Sequence, residues 1–182
     1  MAYKVDESGN KVLDKIPNYK TWADLESCVN KGLTKSIGVS NFNVQSLMDI
    51  MTYAEIMPAT NEIELHPYLA QEGLVKFCKK YDIMPIGFSP LARAGNEDRH
   101  GPKGIYDTEI IKEMCEKYSK SPAQICLNWG ISRGYTVIPK SSNLERLKDN
   151  LAATDFSLEA EDVEKISSLN QNFRICYGER LD

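Results

Sequence analysis

Val137-Ile138-Pro139-Lys140-Ser141-Ser142-Asn143-Leu144-Glu145-Arg146-Leu147-Lys148-Asp149-Asn150 joins two periodicities within fourteen residues. The β-rich run from Tyr135 to Ile138 stops at Pro139, which has no N–H to continue a ladder. Ser142 and Glu145 then stand at the Ser-x-x-Glu spacing of a capping box, which predicts a helix from Asn143 to about Ala152. Working outward, the same strand–turn–helix unit recurs. Ser36–Val39, Thr60–Leu65 and Ile83–Phe88 read as short buried strands, with Pro85 at a position that lacks a ladder bond. A helix is expected over residues 21–31, with Trp22, Leu25, Val29 and Leu33 on one stripe and Gly32 as its stop. Further helices are expected over 44–53 behind Asn43, over 71–81 with Leu74, Val75 and Cys78 inward, and from Ile110 to Tyr118. Ser121-Pro122-Ala123-Gln124 starts another that runs to about Arg133, and a last one spans about 159–170. Residues 1–18 form an irregular lead-in with a turn at Ser8-Gly9-Asn10, and Ala92–Gly104 is a long loop.

Alternation of strand and helix implies an α/β fold with parallel strands, because parallel neighbours need a crossover helix. Four strands fit an open sheet, or a piece of a (β/α)8 barrel, which in full needs roughly 250 residues. The composition suits one domain or slightly more: 182 residues, 42% hydrophobic and 26% charged. Twenty-two basic against 26 acidic residues give a net charge of −4, so no nucleic-acid or anionic-membrane partner is expected. No apolar run reaches the roughly 20 residues that cross a bilayer, and the charged start Met1–Glu7 does not read as a signal peptide. Five cysteines without Cys-x-x-Cys spacing argue against a disulfide framework or a metal site, and place the chain in a reducing cytoplasm.

Lys140 and Ser141 fall in the turn facing a helix N-terminus, where main-chain N–H groups and the helix dipole favour an anion. Arg146 and Asn150, four apart, share one face of that helix. The set fits a phosphate, and equally a solvated basic helix end. A second cluster sits where strands give way to loops: Gly38-Val39-Ser40-Asn41-Phe42, Asn61-Glu62-Ile63-Glu64-Leu65-His66-Pro67-Tyr68 and Gly87-Phe88-Ser89-Pro90-Leu91. Ligands of parallel α/β folds bind at such carboxyl ends. The plainer alternative has Ser40 and Asn41 capping a helix and Phe88 in the core. Glu62 and Glu64 share a strand face, as a pair of acids would, but their neighbouring motif argues against glycosidase chemistry.

Together these segments resemble the aldo-keto reductases, NADP(H)-dependent barrel enzymes that reduce aldehydes and ketones. Ile37–Phe42, Asn61–Tyr68, Phe88–Leu91 and Ile138–Ser141 stand in the family's order and spacing, and the resemblance extends from about Val5 to Arg174. It implies the C-terminal half of a (β/α)8 TIM barrel, four parallel strands with their helices, over residues 1–182. It also implies a cofactor site. Ser40 and Asn41 would bond the nicotinamide carboxamide, Phe88 would stack on the ring, and Ser89 and Leu91 would line pyrophosphate and ribose. Lys140, Ser141, Ser142 and Asn143 would surround the 2′-phosphate, Arg146 would clamp it, and Asn150 would bond the adenine. Two cations there favour NADP over NAD. Glu62 departs from the family's glutamine; its charge would favour the oxidised ring.

The family's catalytic Asp, Tyr, Lys and His lie on the first half of its barrel, and nothing here matches them. His66 precedes Pro67 in a turn, and His100 lies in the charged loop. The expectation is a reductase half that holds NADP(H) while the catalytic acid belongs to another segment; the alternative is a non-catalytic nucleotide-binding or interaction module. Half a barrel would leave open edges at 36–39 and 135–138 and an exposed apolar inner face, inviting a homodimer or pairing with a separate N-terminal half.

Overall fold

The structure, a computed structural model, describes residues 5–8, 12, 15–92 and 104–176. Among them, β1 (Gly38–Ser40), β2 (Thr60–Glu64), β3 (Met84–Phe88) and β4 (Thr136–Ile138) form one sheet in the order β1-β2-β3-β4. Every pairing is parallel. Spatial order equals chain order, so each crossover returns to the adjacent strand, as in a barrel wall and unlike a doubly wound sheet with a switch point. Helix α1 (Asn18–Asn30) precedes β1; α2 (Val44–Ile50) and α3 (Glu72–Lys80) form the next two crossovers. Helices α4 (Glu109–Tyr118) and α5 (Pro122–Ser132) lead to β4, and α6 (Leu144–Leu151) and α7 (Ala160–Ser167) follow it.

Local chemistry explains most boundaries. Ser121 and Gln124 form the expected reciprocal capping box on α5, with Pro122 at its first position. Asn43 caps α2 by accepting the Ser46 N–H at 2.8 Å. Gly32, at φ +70°, occupies the left-handed position that ends α1 at little cost. Pro85 fits a central strand because Met84 donates to Ala59 on the β2 side. The next residue therefore addresses β4, whose pairing begins only at Ile86 with Thr136.

Three expectations need correction. The cap of α6 is Asn143, whose side chain accepts the Arg146 N–H at 3.1 Å, so no Ser142–Glu145 box forms. Ser141 Oγ accepts the Asn143 N–H at 3.1 Å, and Glu145 pairs with Lys148 instead of reaching back. On α1 the buried residues are Trp22 and Glu26, whereas Leu25 and Leu33 are exposed. The Glu26 carboxylate accepts N–H bonds from Glu55 and Ile56 at 2.8 and 2.9 Å, and the Trp22 indole donates to Ile56. A satisfied carboxylate thereby takes a place that apolar periodicity assigned to leucine. Third, the sheet face opposite the helices is mixed and not apolar: Thr60, Glu62 and Thr136 alternate with Met84, Ile86 and Ile138.

The main core joins Ile63 and Leu65 to Ile111, Met114, Trp129 and Ile166 under α4, α5 and α7. A Cβ on Gly130 would stand 2.7 Å from Val137 Cγ1 and 2.8 Å from the Tyr135 ring, so glycine lets α5 lie against β4. Two smaller clusters, around Trp22, Ile37 and Ile50 and around Leu47, Cys78 and Ile83, fill the β1–β3 end. Helix α6 buries none of its residues. It is held by polar contacts, Ser121 Oγ to Asp149 at 2.8 Å and Gln124 Nε2 to the Asp149 carbonyl at 3.2 Å. Its apolar stripe, Leu144, Leu147 and Leu151, is exposed.

Candidate functional site

The carboxyl ends of the four strands gather the polar residues. Ser40 ends β1 in register with Glu62. Its hydroxyl donates to the Glu62 carbonyl at 3.1 Å, and the Asn41 N–H donates to the same oxygen at 2.8 Å. Asn41 Nδ2 donates to Ser40 Oγ at 3.1 Å. Asn41 holds a left-handed φ of 59°, which asparagine tolerates better than most side chains. Ser40, Asn41 and Glu62 thus form one fixed polar corner, and neither Ser40 nor Asn41 caps α2.

Two residues along, Glu64 is in register with Phe88 at the end of β3, and Phe88 with Ile138 at the end of β4. Phe88 is half-buried and lies outside all three core clusters. After it, the backbone turns at Ser89 (φ 50°) and Ala92 (φ 49°), closed by the Ala92 N–H to the Ser89 carbonyl, while Leu91 packs on the main core.

Beyond β4, Lys140, Ser142 and Arg146 are exposed around the first turn of α6. Neither cation has an ion-pair partner among the described residues. Ser141 and Asn143 are committed to closing the turn, with Ser141 Oγ also donating to the Asn143 carbonyl at 3.2 Å. Asn150 sits half-buried on the same helix. Tyr106 lies within electrostatic reach of Arg146 and Asp149, and burial raises its hydroxyl pKa well above the ordinary range. The structure therefore groups Ser40, Asn41, Glu62, Phe88 and Ser89 on and just after β1–β3, and Lys140, Ser141, Ser142, Asn143 and Arg146 around the β4–α6 turn; Leu91 packs on the core, and Asn150 lies further along α6. His100 lies outside the described residues.

A further cluster was not singled out by the sequence. The side chains of Glu64 and His66 are wholly buried, with His66 Nε2 2.9 Å from Glu64 Oε1. The same carboxylate accepts the N–H groups of Ile175 and Cys176 at 2.6 and 2.9 Å. Burial opposes ionisation of Glu64, but the bonds from His66 and the two amides outweigh it and hold its pKa below the usual glutamate value. Only the polar strand position and His66 two residues on hinted at this role; its main-chain partners lie more than a hundred residues away. Among the described residues no group of three or more His, Cys, Asp or Glu is placed to hold a metal ion, and no helix is long and apolar enough to cross a membrane.

Comparison with known proteins agrees with this geometry. The model of the Aldo/keto reductase family matches residues 12–171. Aldose reductase C of Dictyostelium discoideum is 43% identical over 94% of this chain and 51% of its own length. The NADP-dependent D-sorbitol-6-phosphate dehydrogenase of Malus domestica is 41% identical over 91% of this chain and 54% of its own. The solved aldose reductase of Schistosoma japonicum superposes with a TM-score of 0.89 at 27% identity, covering 98% of this chain and 56% of that one. The chain belongs to the aldo/keto reductase family. It spans about half the length of these relatives, and its four parallel strands form half of a (β/α)8 barrel.

Proposed function

We propose that this chain is the NADP(H)-binding half of a cytoplasmic aldo-keto reductase that converts aldehydes and ketones to alcohols. The observation that carries the reading is the pair Lys140 and Arg146, exposed around the capped start of α6 and without an ion partner among the described residues. Such an arrangement suits a phosphate monoester, because two cations and a helix N-terminus add to one another. The name of the Malus dehydrogenase supports NADP over NAD. In this reading Ser142, Asn143 and the Ser141 turn frame the phosphate, and Asn150 meets the adenine. Ser89 and Leu91 line the pyrophosphate and ribose, Phe88 supplies a ring face, and Ser40, Asn41 and Glu62 hold the carboxamide. When bound, the reduced cofactor supplies the hydride for carbonyl reduction. The residues of this chain orient it and shield one face of it from water; the proton donor belongs to a segment outside this sequence.

We place a second half-barrel, from another chain or a second copy of this one, against the two open edges. Its support is the one-sided pairing of β1 and β4 among the described residues and the outward leucines of α6. Mixing the protein with NADPH and a reactive aldehyde, while following tryptophan quenching and cofactor absorbance separately, tests the reading. Quenching without turnover is expected. Turnover at the rate of a whole reductase would overturn the assignment of the acid to another segment, and absence of quenching would overturn the cofactor site.

A further inference from the structure

We infer that Glu64 is a positioning residue whose buried carboxylate clamps residues 174–176 across the end of β2 and so builds a wall beside Ser89. The clamp uses both oxygens. Oε1 takes His66 Nε2 at 2.9 Å and the Ile175 N–H at 2.6 Å. Oε2 takes the Cys176 N–H at 2.9 Å and lies 3.9 Å from the Arg174 guanidinium. Four donor groups around one carboxylate leave no place for an N–H donor on Glu64 itself. A glutamine would turn its NH2 against one of them, so charge and symmetry are both required. His66 Nδ1 is buried without a partner. The ring's hydrogen bond therefore goes to Glu64, and the histidine serves the carboxylate.

The clamp is the last point of a longer attachment. Asn170 Oδ1 accepts the Ala70 N–H, and the Tyr68 carbonyl accepts the N–H groups of Gln171 and Phe173. Gln71 links the two sides, donating to the Glu64 carbonyl at 2.7 Å and accepting from Arg174 at 3.5 Å. Residues 170–176 are thereby tied stepwise to residues 64–71. At the far end, Cys176 Sγ stands 3.8 Å from Ser89 Oγ, in the turn that follows β3. Because Glu64 grips main-chain amides, it fixes the path of the segment whatever side chains it carries. That the wall borders the pyrophosphate and ribose of the cofactor rests on the reading of Ser89 given above.

Hydrogen exchange on wild-type protein and Glu64→Gln tests the clamp. The amides of Ile175 and Cys176 should lose about tenfold or more of their protection in the variant, the scale of a hydrogen bond to a charged group. The Leu65 amide, bonded to Phe88 in the sheet, should not change. Alkylation of Cys176 should accelerate while buried Cys126 stays unlabelled, and Glu64→Asp should restore part of the protection. Unaltered tail protection in a folded Glu64→Gln overturns the inference. Should that variant not fold, the wild type decides: protected amides at 175 and 176 support the clamp, and exchange at the rate of an unstructured peptide overturns it. NADPH is the separate arm. If Glu64→Gln frees the tail yet NADPH leaves Cys176 labelling unchanged in the wild type, the clamp stands and the assignment of Ser89 falls.

Discussion

Ser40 at the end of β1 is locked to Glu62 in the middle of β2, the serine hydroxyl donating to the glutamate carbonyl at 3.1 Å. That bond fixes the main chain of Glu62 and places its carboxylate on the helix-free face of the sheet. A fixed negative charge there favours the positively charged, oxidised nicotinamide. Glu62→Gln should shift the ratio of NADP+ to NADPH affinity toward the reduced form by about two- to fivefold, the range of a half-exposed charge interaction. Fluorescence titration with both forms measures it, and an unchanged ratio would remove Glu62 from the nicotinamide.

In the proposed reading, Lys140 and Arg146 act as a pair on the phosphate that separates NADPH from NADH. Replacing both with alanine should weaken NADPH binding by about ten- to a hundredfold, as expected for charge-assisted hydrogen bonds. NADH binding should stay close to its wild-type value. Titration calorimetry distinguishes the outcomes; equal losses for both cofactors would place the phosphate elsewhere.

Gly130 makes room for β4 against α5. Alanine there gains helix propensity of about 1 kcal/mol but drives a methyl into Val137 and Tyr135, at 2.7 and 2.8 Å from where its Cβ would lie. Overpacking of this kind costs about 1–3 kcal/mol, so Gly130→Ala should come out destabilised overall. Urea denaturation reads the sign directly, and a stabilised variant would contradict the close approach.

Asp162 on α7 accepts from Lys117 at 2.8 Å and from the Tyr118 hydroxyl of α4. Burial pushes its pKa up, but the bonds from Lys117 and Tyr118 prevail and hold it below the usual aspartate value. A carboxylate whose folded pKa is depressed adds stability that is complete above its unfolded pKa, about 3.9, and vanishes as pH falls through the lower folded value. The wild type should therefore lose more stability than Asp162→Asn between about pH 5 and pH 2. Denaturation midpoints that fall in parallel for the two proteins would refute this.

The outward leucines of α6 should govern association. Leu147→Asp combined with Leu151→Asp removes apolar surface without touching the Asp149 contacts that hold the helix. Sedimentation should show assembly in the wild type at micromolar concentration and a smaller species in the double variant. A wild type that sediments as a stable monomer would defeat the pairing reading.

Local signals were legible because their chemistry is local. The Ser121–Gln124 box, Asn43 before α2 and Gly32 after α1 follow from spacing within a few residues, whereas the order of the four strands in the sheet was implied only by the family resemblance. The start of α6 was displaced by one residue because Ser142 and Asn143 are comparable caps, and only the bond from Asn143 to Ser141 decides between them. The buried roles of Glu26 and Glu64 were not legible for another reason. A buried carboxylate is defined by the amides it receives, and those of Glu64 lie 111 and 112 residues away. Single-strand periodicity carries no trace of such partners.

That separation also bears on how the chain acquires its structure. Glu64 joins a sheet early in the sequence, but two of its donors reside at positions 175 and 176. During synthesis, β2 leaves the ribosome long before those amides do. Until they arrive, the carboxylate must stay hydrated or take up a proton, and neither state is compatible with its final enclosure. Closure around this residue is therefore a late event, set by the loop entropy of a contact spanning most of the chain, and it follows the sequential pairing of the strands.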